Sequence, residues 1–170
     1  AMKWFRAIGK DAGKHNEPLQ WTTPSGLLVQ QKYMAAKVKR IRMHYLSDVQ
    51  MDIKINVDDD VELDTKRMAN ALSPNVLHSM DASHMAMATL HAKDHGVTNV
   101  AGVHDCFVTT PAEMEQLRDS VRAAFAALYS ESWLDSLSDQ LARRRGAELP
   151  CPVTGQLDLS QVKSSDYFIT

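Results

Sequence analysis

The sequence predicts an α+β fold in which antiparallel hairpins are packed by amphipathic helices. Three observations predict it. Across residues 38–57, Ile41, Met43 and Tyr45 alternate with Arg40, Arg42 and His44, and Val49, Met51, Ile53 and Ile55 alternate with Gln50, Asp52, Lys54 and Asn56. A period of two belongs to strands with one apolar and one polar face. The β-branched runs at 97–103 and 106–109 flank His104-Asp105 and suggest a second hairpin. Leu117, Val121, Phe125 and Leu128 recur at helical spacing and mark an apolar helix face.

The elements follow in chain order. Residues 2–13 form a helix with Trp4, Phe5 and Ile8 on one face, and a chain that opens on a helix in progress is expected to belong to a larger protein. Residues 13–18 are a polar connector rich in helix breakers. Trp21-Thr-Thr-Pro-Ser-Gly26 makes a short strand and turn, and residues 27–33 suit either a strand or a helix start. The phase of the 38–57 alternation breaks at Leu46-Ser47-Asp48, where the first hairpin turns, and Asp58-Asp59-Asp60 ends it with like charges. Residues 64–72 predict a short helix closed by Ser73-Pro74-Asn75. Residues 76–95 predict a longer, methionine-rich helix with Gly96 at the C′ position. Thr110 as N-cap, Pro111 at N1 and Glu113 closing a capping box start the helix 111–129. A further helix spans 133–145 on Leu134, Leu137 and Leu141 and stops at Gly146; a loop at 147–156 precedes a helical turn and the ending Asp166-Tyr-Phe-Ile-Thr170.

Composition excludes several classes. Of 170 residues, 44% are hydrophobic and 24% charged, which excludes a fully disordered chain. No run approaches the length of a membrane span and no apolar leader opens the sequence, so neither a spanning segment nor a secretory signal is expected. A formal net charge of −2 excludes a chain that is basic throughout and leaves room for a local basic face. Two cysteines, Cys106 and Cys151, exclude a disulfide framework and a four-cysteine zinc site, and point to a reducing, cytosolic compartment.

Each chemical motif has a plain alternative. Asp105 at a hairpin tip is a hard oxygen ligand suited to Mg²⁺, and Asp is also a common turn residue. Phosphoryl transfer by two metals needs at least two carboxylates holding ions roughly 3.5–4 Å apart. His104-Asp105 could also belong to a phosphohydrolase of the HD type, but those enzymes place the doublet on a helix and draw further ligands from other helices. His84, His91 and His95 have helical spacing that can bind zinc; without a completing Glu or Cys they are expected on the helix surface near its C-terminus, where the dipole favours them. Met80, Met85 and Met87 are expected as adaptable core filler. His78, Asp81 and Met85 share one helix face, as a ligand contact or as a buried hydrogen-bonded pair. Arg40, Arg42, Gln50 and Asp52 line the polar face of the first hairpin. A two-stranded ribbon fits the DNA major groove, and Arg and Gln pair with guanine and adenine edges; the alternative is a merely solvated face.

Pro74-Asn-Val-Leu-His78-Ser-Met-Asp81-Ala-Ser-His84, followed after about twenty residues by Val103-His-Asp105-Cys-Phe, resembles the C-terminal part of the phage-type (T-odd-like) single-subunit DNA-dependent RNA polymerases. The resemblance covers essentially the whole chain, including Trp21-Thr-Thr-Pro-Ser-Gly26 and the Ser165-Asp-Tyr-Phe ending. It implies the fold of a polymerase palm and fingers portion. Residues 1–37 would be the end of the fingers region and a connector, 38–57 a specificity-loop hairpin, 58–130 the palm with its catalytic hairpin at 97–109, and 131–170 the C-terminal helix and foot. Asp105 matches the palm aspartate of the third polymerase motif, a ligand of catalytic Mg²⁺, with His104 its neighbour. His78 matches a histidine touching the minor-groove side of the primer–template pair. Arg40, Arg42, Gln50 and Asp52 fall on promoter-reading positions, and Thr170 on a C-terminal foot near the active site.

The implied partners are DNA template and promoter, RNA product, nucleoside triphosphates, and the upstream part of the same polymerase or a complementary chain. The implied location is the cytoplasm of a bacterial host. The family's first catalytic aspartate and its Arg/Lys/Tyr fingers helix have no counterpart in these residues, and Cys106 stands where many members carry Ser. The resemblance therefore implies that the isolated chain is inactive. Two other classes fit part of the pattern: a family A DNA polymerase fragment, which shares the His-Asp pair but usually follows it with Glu, and a non-catalytic DNA-binding module derived from a polymerase. Such a module would bind duplex DNA by itself with a steep salt dependence.

Overall fold

The computed structural model describes residues 1–42, 50–55, 62–103, 106–145 and 150–165. Among them the architecture is α+β: helices and two-stranded sheets, paired β1–β2, β3–β4 and β5–β6. The chain forms two compact units. One comprises Ala1, Gln20–Val29 and Pro74–Thr170; the other comprises Met2–Leu19 and Gln30–Ser73.

The second of these is built around helix α1 (Met2–Lys14), which buries Phe5, Ile8, Gly9, Ala12 and Gly13. Two glycines four apart give this face no side chains where it meets the start of helix α2 (Thr65–Asp94). A Cβ on Gly9 would lie 2.5 Å from the Met68 carbonyl oxygen, and one on Gly13 would lie 2.6 Å from the Thr65 Cα. The two backbones therefore touch. Asn16, with φ 56°, turns the chain after α1, and its side-chain oxygen accepts from the Leu63 amide at 2.8 Å. Gln31, 2% exposed, donates to the Met68 carbonyl at 2.8 Å, which satisfies a polar group inside the core. The Asp64 carboxylate caps α2 by accepting from the Arg67 amide at 2.9 Å. In the same unit β3 (Lys37–Arg42) and β4 (Gln50–Ile55) pair antiparallel, as the alternation predicts. The expected turn at 46–48 and the aspartates 58–60 lie outside the described residues.

Helix α2 corrects one expectation. It runs unbroken through Pro74, where the sequence predicts a stop. A proline inside a helix costs about 3 kcal/mol, through a lost hydrogen bond and a clash with the preceding turn. Met68 and Leu72 before the proline and Val76 and Met80 after it are all at most 3% exposed. Each such burial contributes about 1.5–3 kcal/mol, so tertiary packing outweighs the local penalty. The other end of α2 follows its local code. Gly96 has φ 87°, its amide donates to Lys93, and the Val97 amide donates to Ala92, closing the helix in a Schellman motif.

The other unit holds β1 (Leu19–Thr22) except its first residue, and the first half of β2 (Leu28–Gln31), so the undecided segment at 27–33 includes a strand. Trp21 is 1% exposed. Gln140 donates to the Thr22 carbonyl and accepts from the Thr22 amide at 2.7 Å, which ties β1 to helix α4 (Trp133–Arg145). Strands β5 (Ala101–Val103) and β6 (Cys106–Val108) pair antiparallel. A short 3₁₀ turn (Pro111–Glu113) leads into helix α3 (Met114–Leu128), where Leu117, Val121 and Leu128 are buried as the stripe predicts. Ala88, Ala92, Val97, Leu117, Val121 and Ala124 make one core cluster between α2 and α3, with Phe107 of β6 against it. Helix α5 (Ser160–Ser164) is fastened to α3 by Arg122, which donates to the Lys163 carbonyl.

Candidate functional site

The β5–β6 hairpin is short. Its rungs are Ala101↔Val108, Gly102↔Phe107 and Val103↔Cys106, and the last leaves only positions 104 and 105 between the strands. His104 and Asp105 themselves lie outside the described residues. The middle rung faces α2. Phe107 meets the His84 ring edge-on at 6.3 Å, and a Cβ on Gly102 would come within 3.0 Å of the Met85 sulfur. The outer rungs point away: Val103 is 63% exposed and Val108 57%.

The segment Pro74 to His84 has two faces, and each does something different. Ser79 and Ser83 point inward. The Trp21 indole donates to the Ser79 hydroxyl at 3.1 Å, the Ser79 hydroxyl donates to the Val76 carbonyl, and the Ser83 hydroxyl donates to the Ser79 carbonyl. Ser83 also shares a hydrogen bond of 2.9 Å with Ser25, which is bonded in turn to Thr23. The two serines thus lock the Trp21–Gly26 turn onto α2. His78 and Asp81 are exposed, so they do not form a buried pair. Met85 continues that face, about 10 Å along the axis from His78 at 1.5 Å per residue, and there it reaches the hairpin. Burial, and secondarily the Asp81 charge, push the Tyr129 phenol above its ordinary pKa, which sets Asp81 near the end of α3.

His84 is not the surface histidine expected. It is partly buried, its Nε2 is 2.9 Å from the Val121 carbonyl, and its ring is edge-on to Phe107 and Phe125. A ring so placed is a packing and hydrogen-bonding bridge between α2 and α3. His91 and His95 stack at 4.1 Å, and no group of three or more His, Cys, Asp or Glu side chains fit to hold a metal occurs among the described residues. Met80 is core, as expected, whereas Met85 and Met87 are only partly buried.

Glu113 also departs from expectation. Thr110 makes no side-chain cap bond to the helix, and no capping box closes. The Glu113 carboxylate instead accepts from the Thr98 amide (3.2 Å) and hydroxyl (2.9 Å), the Asn99 amide (3.4 Å), and the hydroxyls of Thr109 (3.1 Å) and Thr110 (3.3 Å). These bonds, the Thr98 amide foremost, hold its pKa down at about 2.

In the other unit the β3–β4 register sets Arg40 opposite Asp52 and Arg42 opposite Gln50. The four promoter-reading candidates therefore occupy two rungs of the same parity, with Ile41↔Met51 between them. Thr170 lies outside the described residues. No helix among the described residues is long and apolar enough to cross a membrane.

Comparison with known proteins bears on the same residues. A family model for DNA-dependent RNA polymerase matches residues 3–150. The chain is 35% identical over 172 residues to the DNA-directed RNA polymerase 2, chloroplastic/mitochondrial, of Arabidopsis thaliana, covering 98% of this chain and 16% of that protein. It is 34% identical over 169 residues to the DNA-directed RNA polymerase 3, chloroplastic, of Nicotiana sylvestris, covering 98% and 17%. It is 30% identical over 186 residues to the DNA-directed RNA polymerase of Enterobacteria phage T3, covering 98% and 21%. The chain thus spans about a fifth or less of the length of these curated relatives. Phage and plant organellar proteins both stand among them, so a bacterial host is not singled out.

Proposed function

Because the chain belongs to the phage-type DNA-dependent RNA polymerase family, we propose that it is the C-terminal portion of an enzyme that transcribes DNA by two-metal nucleotidyl transfer. Residues 1–37 are then the end of the fingers and a connector, 38–57 the specificity hairpin, 58–130 the palm, and 131–170 the C-terminal helix and foot. The observation that carries this reading is the β5–β6 hairpin: its last described rung, Val103↔Cys106, immediately flanks the sequence positions of His104-Asp105, on strands held against the helix that bears His78. The exposed outer rungs, with Val103 and Val108 uncovered, also suit a surface that another part of a larger protein covers.

The donor chemistry fits a divalent cation. Mg²⁺ sites in nucleotide enzymes commonly use one or two carboxylates and complete their shell with water and substrate phosphates. Asp105 is the residue that would hold the ion. When bound, the ion supplies charge neutralisation at the phosphate and a lower pKa for the attacking 3′-hydroxyl. Asp105 is one carboxylate and two ions need more, so the 170-residue chain alone is inactive and the upstream part of the polymerase supplies the rest. His104 is the neighbour of Asp105 in the same motif. His78, exposed on the helix face that leads to the hairpin, contacts the primer–template pair from its minor-groove side. Arg40, Arg42, Gln50 and Asp52 read promoter bases. DNA template and promoter, nascent RNA and nucleoside triphosphates are the partners.

The test is Asp105→Asn in the complete polymerase. Incorporation on a primed template falls by roughly 10³-fold or more, the scale of losing a charge-stabilising group at a reacting centre, while promoter binding by gel shift is kept. A near-normal rate removes Asp105 from the site.

A further inference from the structure

A hairpin of three-residue strands is marginal by itself, so something must hold its two strands in place. One anchor is apolar: Phe107 and Gly102 sit on His84, Met85 and the α2–α3 core. The other is polar and lies at the open end. Thr98 and Asn99 lead into β5, and Thr109 and Thr110 lead out of β6. All four donate to the one carboxylate of Glu113, and the Thr109 hydroxyl also donates to the Asn99 carbonyl at 2.6 Å. Both feet of the hairpin are therefore tied to the first turn before α3.

We propose that Glu113 is a positioning residue for the catalytic hairpin: its carboxylate clamps the two feet of β5 and β6 together and, through those strands, acts on the metal ligand Asp105 that follows β5 in the sequence. This rests on the reading of Asp105 given above. Glu113 touches no reacting atom; it acts through the hairpin, as outer residues that orient a metal ligand do. Only an ionised carboxylate has enough acceptor positions for this set of donors. Five donors on one group also hold it charged down to a pH of about 2, so the clamp does not titrate in the neutral range.

The experiment uses the complete polymerase carrying Glu113→Ala, Glu113→Gln, Glu113→Asp or Asp105→Asn. The first readout is amide hydrogen exchange by mass spectrometry, without nucleotide. The second is the Mg²⁺ concentration for half-maximal incorporation, with kcat and the promoter KM measured separately. The expected result for Glu113→Ala is faster exchange confined to the peptides over 97–110, a Mg²⁺ requirement raised by about tenfold or more as for other groups that orient a metal ligand, and an unchanged promoter KM. Glu113→Gln, with a single acceptor oxygen, falls between, and Glu113→Asp recovers part of the loss. Wild-type exchange and Mg²⁺ dependence in Glu113→Ala overturn the proposal, and so does faster exchange spread over the whole unit, which marks a purely structural role. If Asp105→Asn is itself fully active, the assignment of Asp105 fails, whatever Glu113 does to exchange.

Discussion

Replacing Gly9 by Ala tests the closest backbone approach in the molecule's second unit. The new methyl carbon would sit 2.5 Å from the Met68 carbonyl oxygen and 2.9 Å from the Ala69 Cα and the Met68 carbonyl carbon. Favourable separations are about 3.5–4.0 Å, so α1 and the start of α2 must part by roughly 1 Å at this point. No flexible side chain can absorb the clash, because every near atom is backbone. Overpacking of this kind costs about 1–3 kcal/mol, and more where nothing can yield. Opening a gap of that size also forfeits about a quarter to a half of each dispersion contact along the crossing, where Phe5, Ile8 and Ala12 are buried. Against these stands the helix propensity of Ala over Gly, about 1 kcal/mol. The clash wins, and the expected net loss is about 2–3 kcal/mol. Amide hydrogen exchange of the α1 peptides measures it directly, as a lowered opening free energy. Gly155→Ala is the control, since a Cβ there meets nothing within 4 Å; it leaves stability unchanged or gains a few tenths. If Gly9→Ala protects α1 as well as the parent does, α1 and α2 are not in backbone contact and the account of this unit fails.

Trp21→Phe removes the indole donor to Ser79 and part of a side chain that is 1% exposed, so it should cost about 2 kcal/mol in urea denaturation; Ser79→Ala should cost about 1–2 kcal/mol by orphaning the buried indole N–H, and the pair should be non-additive. Burial first, and the neighbouring Asp135 second, push the Cys151 thiol up to about 11. Its proton is held more tightly in the folded state, so whatever this group contributes to stability is present below its ordinary pKa and is lost as pH rises toward 11. Since the thiolate is the nucleophile, iodoacetamide should alkylate Cys151 far more slowly than exposed Cys106 at neutral pH, with the Cys151 rate still rising tenfold per pH unit beyond pH 9; equal rates refute the shift.

Local signals proved sound where the chain decides its own conformation. The alternation across 38–57 yielded the β3–β4 pairing, and the glycine after α2 closes the expected Schellman motif. Helices α1, α3 and α4 start and stop close to where their apolar spacing and breakers place them. The strand-forming runs on either side of His104-Asp105 pair as a hairpin. Two local rules were overruled. Pro74 does not end a helix, because buried neighbours on both sides outweigh it. Glu113 does not close a capping box, because donors 14 and 15 residues earlier compete for its carboxylate.

Spacing along the chain was enough to pick out the Pro74–His84 segment and the His104-Asp105 doublet, and with them the family, because residue identities and intervals need no partner to be seen. Which side of that segment is structural and which faces outward needed the folded chain. Ser79 and Ser83 meet Trp21 and Ser25 across 58 residues of sequence, leaving His78 and Asp81 exposed. Glu113 likewise acquires its partners only once β5 and β6 have brought both feet of the hairpin to it. Periodicity and capping report free energies set within a few residues, whereas hydrogen bonds between distant segments exist only after packing has closed the loops between them.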